Sequence, residues 1–370
     1  MHVAIILLIV TIGTVLFHVL SPWWMAPIAS NWHFIDTTII LTFWITGLVF
    51  IAILLFMAYC AVRYRHREGR RAAYEPENKK LEIWLTAGTS LGVVALLTPG
   101  LFAWSQFNTP PDDALEVEVL GEQWSWSFRH PGEDGALGMA STHRINSGNP
   151  FGLDPDDSAG QDDILIHGNE LYVLADQPVK FLLRSKDVIH NFKVPQFRAK
   201  LDMVPGMVTS FWVVPTRVGE YDILCAELCG VGHYAMRGRI VVVEDEDEYI
   251  AWLQTHQTFA DSMEPAEPTE PVELEDQLVA EGQRLAEERG CLACHSLDGR
   301  AGVGPTWKGL FESTVALVDG STVVADEDYL KESILEPSAK VTEGFQPIMP
   351  AFDFSDEQLD AVIAYIKTLE

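Results

Sequence analysis

Three blocks of different texture predict a membrane-anchored multidomain protein: transmembrane helices first, an all-β sandwich or barrel second, a small all-α domain last. The first observation is a set of uncharged runs within residues 1–112, at Val3–Leu20, Thr37–Val62 and Ile83–Phe107. The second is a change from Leu115 onward to short β-prone runs split by Gly, Pro and Asp. The third is a C-L-A-C-H motif, Cys291–His295, with an amphipathic helical pattern before it and another at the C-terminus. A length of 370 residues suits two or three domains. The 25 basic and 53 acidic residues give a formal net charge of −28. That excludes a general nucleic-acid binder, because a phosphate backbone needs a basic surface.

Val3–Leu20 is apolar apart from His18 and lacks the cationic start of a signal peptide. We expect an uncleaved transmembrane helix there; the small-x-small pattern Pro27-Ile28-Ala29 leaves the cleaved signal as the alternative. Thr37–Val62 and Ile83–Phe107 are long enough to span, the latter with Pro99-Gly100 expected to bend its end. Between them lies the most basic stretch, with Arg63, Arg65, Arg67, Arg70, Arg71, Lys79 and Lys80. The positive-inside rule puts that loop in the cytoplasm and everything after Phe107 outside. Trp23, Trp24 and Trp32 suit an interfacial aromatic belt. Cys60, in an apolar run, reads as a small buried or lipid-facing residue.

The β region covers 113–250 and includes L-E-V-E-V-L, W-S-W-S-F, V-K-F-L-L, V-T-S-F-W-V-V and R-I-V-V-V. Pro131–Ile164, rich in Gly, Asp and Ser, reads as an inserted surface loop without chemistry. Cys225–Met236 reads C-A-E-L-C-G-V-G-H-Y-A-M. It packs Cys225, Cys229, His233 and Met236 into twelve residues, so one tight loop can aim all four at one centre. Thiolate, thioether and imidazole are what copper prefers. A mononuclear blue-copper site needs one thiolate; two thiolates point to two copper ions, with His190 in V-I-H-N-F as the second imidazole. The alternative is a disulfide between Cys225 and Cys229. Trp124, in G-E-Q-W-S-W-S-F, fits any sandwich core by its alternation.

Residues 251–274 are acidic and Pro-bearing, with D-S-M-E-P-A-E-P-T-E-P-V-E at the centre, and read as an extended, solvated linker. The last domain, 275–370, opens with a helical pattern over Glu275–Glu288, apolar at Leu278, Val279, Leu285 and Ala286. Cys291, Cys294 and His295 form the c-type haem attachment motif, although C-x-x-C also serves zinc or redox work. G-V-G-P-T-W-K-G-L follows, Met349 stands in P-I-M-P-A-F, and a helix over Ser355–Leu369 closes the chain. His295 and Met349 are candidate axial ligands, the pairing of electron-transfer cytochromes; the other reading of Met349 is core filler. Neither constellation leaves an open position for a substrate, so each reads as a relay.

These motifs together resemble subunit II of haem-copper cytochrome c oxidases of the caa3 type, over roughly residues 35–370. The resemblance implies a cupredoxin fold followed by a class I cytochrome c domain. It implies a dinuclear CuA centre, with Cys225 and Cys229 bridging, His190 and His233 on one copper each, and Met236 and the Glu227 carbonyl completing the set. It implies covalent haem c on Cys291 and Cys294. It further implies a magnesium or manganese ion on the Glu227 carboxylate at the boundary with subunit I, electron admission through Trp124, and a proton path beginning at Glu82. Trp84 follows Glu82 one residue sooner than is common in the family. The implied partners are subunit I, subunit III, a cytochrome c or similar donor, and lipid of a bacterial inner membrane, with both metal domains on the periplasmic side. The implied function is electron relay for oxygen reduction to water coupled to proton pumping. Alternatives are the corresponding subunit of a CuA-containing nitric oxide reductase, or a membrane-bound copper or redox sensor.

Overall fold

The computed structural model describes residues 2–21, 25–71, 76–146, 148–263, 271–297, 299–300 and 302–369. Trp23 and Trp24 of the expected aromatic belt and the 264–270 part of the acidic linker lie outside them. The chain divides into two units, Met1–Thr109 and Pro110–Glu370.

The first unit holds α1 (His2–Leu20), α2 (His33–Arg63) and α3 (Lys79–Phe107). Their mean hydropathies of 2.8, 2.7 and 1.6 make each long and apolar enough to cross a membrane. The hydroxyls of Thr42, Thr46 and Thr98 donate to the carbonyls four residues back, so these polar groups are satisfied within their own helices. α1 packs on α2 through the buried Ala4 and Thr11, with His18 beside Phe43. Trp32 is not on a lipid-facing belt: it is 5% exposed and packs on Phe107, ring centroids 5.4 Å apart. The Asn78 side chain caps α3 by accepting the Leu81 N–H at 3.1 Å. Glu82 sits exposed in the first turn of α3.

The second unit begins with β1 (Leu115–Glu122), β2 (Ser125–His130), β3 (Ile164–His167), β4 (Glu170–Leu174) and β5 (Val179–Ser185). It continues with β6 (His190–Val194), β7 (Ala199–Met203), β8 (Thr209–Val213), β9 (Gly219–Cys225) and β10 (Arg237–Val243). Then come α4 (Glu246–Leu253), β11 (Gln257–Thr258) and α5 (Phe259–Met263). Two sheets face each other, in the orders β11-β3-β2-β1-β5-β8 and β4-β10-β9-β6-β7. Alternating apolar residues point inward from both, so Trp126, Phe128, Phe181, Phe192 and Phe211 fill the space between them. β1 pairs parallel with β5 and β10 parallel with β4, against antiparallel neighbours elsewhere.

The inserted loop is more than a solvated excursion. Phe151 and Leu153 are fully buried and cluster with Leu120, Leu165 and Phe259. Its end is fixed by the buried Arg129, which bonds to Glu118, to Asp163 at 2.5 Å and to the Gly138 carbonyl at 2.9 Å. Likewise residues 251–263, grouped with the linker by composition, lie on the sandwich: β11 pairs with β3, and Leu253 and Phe259 are buried.

The remaining elements are α6 (Pro271–Glu288), β12 (Thr314–Ala316), β13 (Thr322–Val324), α7 (Glu327–Leu335) and α8 (Asp356–Lys367). Leu285, Trp307, Leu330, Leu359, Val362 and Ile366 belong to one apolar core. The β12–β13 hairpin is a departure from the all-α expectation; its three-residue strands straddle a turn at Asp319-Gly320.

Candidate metal centres

The first centre lies where β6 begins and β9 ends. The register sets Phe192 opposite Cys225, which brings His190 beside the thiol. The loop from 226 to 236 is closed at its base, where the Cys225 N–H donates to the Met236 carbonyl at 3.2 Å. A tight turn with Gly230 at φ +120° carries the His233 N–H back to the Gly230 carbonyl at 3.2 Å. Six donors then converge. Cys225 Sγ lies 3.7 Å from Cys229 Sγ, 3.9 Å from His190 Nδ1 and 3.2 Å from the Glu227 carbonyl. Cys229 Sγ lies 3.6 Å from His233 Nδ1 and 3.9 Å from Met236 Sδ. The sulfur separation is far beyond the ~2.05 Å of a disulfide bond. Two sulfurs side by side, each flanked by one imidazole, fit a pair of bridged soft metal ions.

The electrostatics prepare this donor set. A hydrogen bond from Cys229 is the main influence holding the Cys225 thiol down to about 3, while Cys229 itself is pushed up by retaining the shared proton. Burial opposes charge on His190, but Asp187 and the Cys225 sulfur outweigh it and raise its pKa to about 9. Asp187 meets His190 Nε2 at 2.8 Å and so leaves Nδ1 facing the sulfurs. Burial works against the Asp187 carboxylate, and the bonds from His190, Val188 and Gln123 bring its pKa below the ordinary value. Sequence reasoning missed Asp187; its place three residues before His190 was the available signal.

The second centre is a mostly apolar cleft, lined by Cys291, Cys294, His295 and Met349 together. Cys291 opens a single helical turn after α6, and the His295 N–H donates to the Cys291 carbonyl at 3.0 Å. His295 Nδ1 donates to the Pro305 carbonyl at 2.7 Å, which leaves Nε2 free to bind a metal. The ring stacks on Trp307, centroids 5.3 Å apart. Burial lowers its pKa, so the imidazole is neutral. A side chain at Gly304 would come within 2.8 Å of that ring, so the Gly304-Pro305 step must be glycine-first. Two thiols, one neutral imidazole and one thioether around an apolar slot fit a covalently held haem.

Trp124 belongs to both places. Its Nε1–H donates to the Cys229 carbonyl at 3.2 Å, and side chains at Gly230 or Gly232 would run into its indole. Trp124, with Val231, also lines the apolar cleft that holds Cys291, Cys294, His295 and Met349, and Gly290 abuts the Trp124 backbone. Glu227 keeps its carboxylate exposed. The structure therefore brings every sequence-predicted ligand to one of two sites, and leaves Glu82 in the other unit.

An all-β copper-type domain and a c-type haem domain, carried in one chain behind apolar helices, define a membrane-anchored electron-transfer protein with CuA and haem c. Residues 115–244 match the family described as cytochrome c oxidase subunit II, periplasmic domain, and residues 279–370 match cytochrome c. The alternative cytochrome c oxidase subunit 2 of Bradyrhizobium diazoefficiens is 60% identical over 260 residues, covering 70% of this chain and 94% of that relative. The cytochrome c oxidase subunit 2 of Alkalihalophilus pseudofirmus is 28% identical over 353 residues, 93% of this chain and 90% of the relative. Among solved structures, the periplasmic domain of subunit II of the Bradyrhizobium japonicum cytochrome oxidase is 27% identical. It covers 40% of this chain and 96% of its own, with a TM-score of 0.29. The chain belongs to the cytochrome c oxidase subunit II family, in the caa3-type arrangement that fuses a cytochrome c domain behind the copper domain.

Proposed function

We propose that this subunit takes electrons from a soluble cytochrome c or similar donor at haem c, passes them to CuA, and delivers them to haem in subunit I. There oxygen is reduced to water and protons are pumped. Each bound group supplies reversible one-electron transfer. The observation that carries the reading is the shared position of Trp124, in contact with the copper loop and lining the haem cleft. A single buried aromatic between the two sites gives the electron a short, rigid path with little to rearrange.

The residues have distinct duties. Cys225 and Cys229, as thiolates, would hold the copper pair together with His190 and His233 through Nδ1, Met236 Sδ and the Glu227 carbonyl. Asp187 fixes the His190 ring. Cys291 and Cys294 would tether the haem, and His295 and Met349 would supply its iron ligands. The exposed Glu227 carboxylate suits magnesium or manganese at the contact with subunit I, since a hard oxygen donor prefers such ions. Glu82, exposed in the first turn of α3, suits the start of a proton path. The basic loop supports a bacterial inner-membrane topology with three spans and both metal domains outside, and subunit III is a further partner.

The test is purification of the complex, with optical and electron paramagnetic resonance spectra and oxygen uptake. A mixed-valence dicopper signal with c-type and a-type haem bands and oxygen turnover is expected. A single type 1 copper signal overturns the copper assignment. Nitric oxide turnover without oxygen uptake moves the subunit to a CuA-containing nitric oxide reductase.

A further inference from the structure

We propose that Arg289 and Glu122 form an electrostatic latch that docks the haem-binding loop on the copper domain and fixes the spacing of the two metal centres. The proposal rests on the reading that electrons pass from haem c to CuA.

Arg289 lies two residues before Cys291, the first haem-tethering thiol. Its Nη1 stands 3.7 Å from Glu122 Oε2, with the two side chains only 13% and 16% exposed. That is an ion pair rather than a direct hydrogen bond, and its burial limits screening by salt. Glu122 closes β1, and the same Oε2 accepts from Lys186 Nζ at 2.6 Å. One carboxylate thus sits between two cations. Removing its charge leaves Arg289 facing Lys186 across the contact, which drives the loops apart.

Both ends of the latch are anchored. The Arg289 guanidinium lies over Phe354, 5.4 Å from the ring centroid, on the segment that follows Met349. Next to Glu122, Gln123 donates through Nε2 to the Cys229 carbonyl at 2.7 Å and through its N–H to Asp187 at 2.7 Å. Asp187 holds His190, so Gln123, next to Glu122, is two hydrogen bonds from the His190 imidazole and one from the backbone of Cys229. The surfaces it draws together fit closely. Gly290 has φ +70°, and a Cβ there would lie 3.2–3.4 Å from the Trp124 backbone. The inserted loop takes part as well: Ile145 and Asn146 share a cleft with Glu122, Arg289, Phe352 and Asp353. Arg289 and Glu122 are therefore positioning residues for the transfer step.

The test uses the full, metal-loaded chain in its complex, with Glu122→Gln, Arg289→Gln, their double variant and Arg289→Lys. Haem c is reduced rapidly and the arrival of the electron at CuA is followed. Each Gln variant should slow transfer about tenfold with unchanged haem and copper spectra, and the double variant should be no slower than either single. Arg289→Lys should keep the rate within about twofold, because the charge is retained. It also places an amine at Glu122, so in a Lys186→Arg background, which removes the competing Lys186 amine, a zero-length carbodiimide should join positions 122 and 289, detected by mass spectrometry of the full chain. Gln variants at the wild-type rate, or no 122–289 cross-link, overturn the latch. Arg289→Lys protein that forms the cross-link yet shows no haem-to-copper transfer instead overturns the electron path on which the latch rests.

Discussion

At the scale of single side chains, the candidate copper and haem ligands stood out because such chemistry restricts them to Cys, His and Met, and the fold brings them together at two places. Their positioning partners did not stand out. The Pro305 carbonyl that orients His295 has no letter in the sequence, and Asp187 was one acid among 53. The same limit hid His130, which is 7% exposed and fully engaged as a neutral ring. Its Nδ1 meets the Pro131 carbonyl at 2.5 Å and its Nε2 accepts from Tyr249 Oη at 2.6 Å. Burial lowers its pKa to about 4, with the Pro131 carbonyl opposing. The unfolded value of about 6.5 is higher, so the unfolded chain binds the proton more readily. This stability is present above the unfolded value and is lost as pH falls from there toward the folded value. Between pH 7.5 and 5 the loss from this residue should be about 2 kcal/mol. Denaturant unfolding at the two pH values checks it: His130→Gln should show a shallower pH dependence than the wild type, and equal dependences would count against this account.

At the scale of elements, the spacing of apolar residues located α6 and α8 but not their crossing. That crossing is a tertiary event, and it falls on Gly282. A Cβ there would lie 1.9 Å from the Ala361 carbonyl oxygen, and backbone cannot move aside as a flexible side chain can. A glycine inside a helical pattern was the available hint, since it is tolerated there mainly for packing. In an exposed helix, Gly→Ala stabilises by about 1 kcal/mol. Here the sign should reverse: Gly282→Ala should cost about 3 kcal/mol or more by overpacking, with reduced haem attachment. Thermal unfolding followed at the haem band measures this, and a rise in melting temperature would exclude the close crossing. Element texture misled in two places for a related reason. Polar composition marked 131–164 and 251–263 as solvated, yet Phe151, Leu153 and Phe259 bury themselves in the sandwich and carry the polar residues around them. A few well-placed aromatics decide such segments more than average composition does.

At the scale of the whole molecule, the order of anchor, β domain and haem domain was readable, but the meeting of the two metal units at Trp124 was not. Docking depends on shape and on charges distant in sequence, such as Arg289 and Glu122. Charge distribution, by contrast, is fully present in the sequence and bears on the donor. All seven basic residues before Pro110 lie between Arg63 and Lys80, so the chain from Pro110 carries 18 basic against 48 acidic residues. The unit from Pro110 onward is thus more acidic than the chain as a whole, and among the described residues of the haem domain Asp326, Glu327, Asp328, Asp356 and Glu357 are exposed. An anionic surface of this size raises the encounter rate of a cationic partner and depends on weak screening to do so. The Debye length shrinks from about 20 Å to about 7 Å between roughly 20 and 200 mM salt, which removes most long-range steering. Oxidation of a basic soluble cytochrome c by the complex should therefore slow about tenfold over that range, with the haem-to-copper step much less affected because its ion pair is largely buried. Stopped-flow traces resolve the two phases. A bimolecular phase that quickens with salt would mean that the donor is acidic and docks by contacts other than this field.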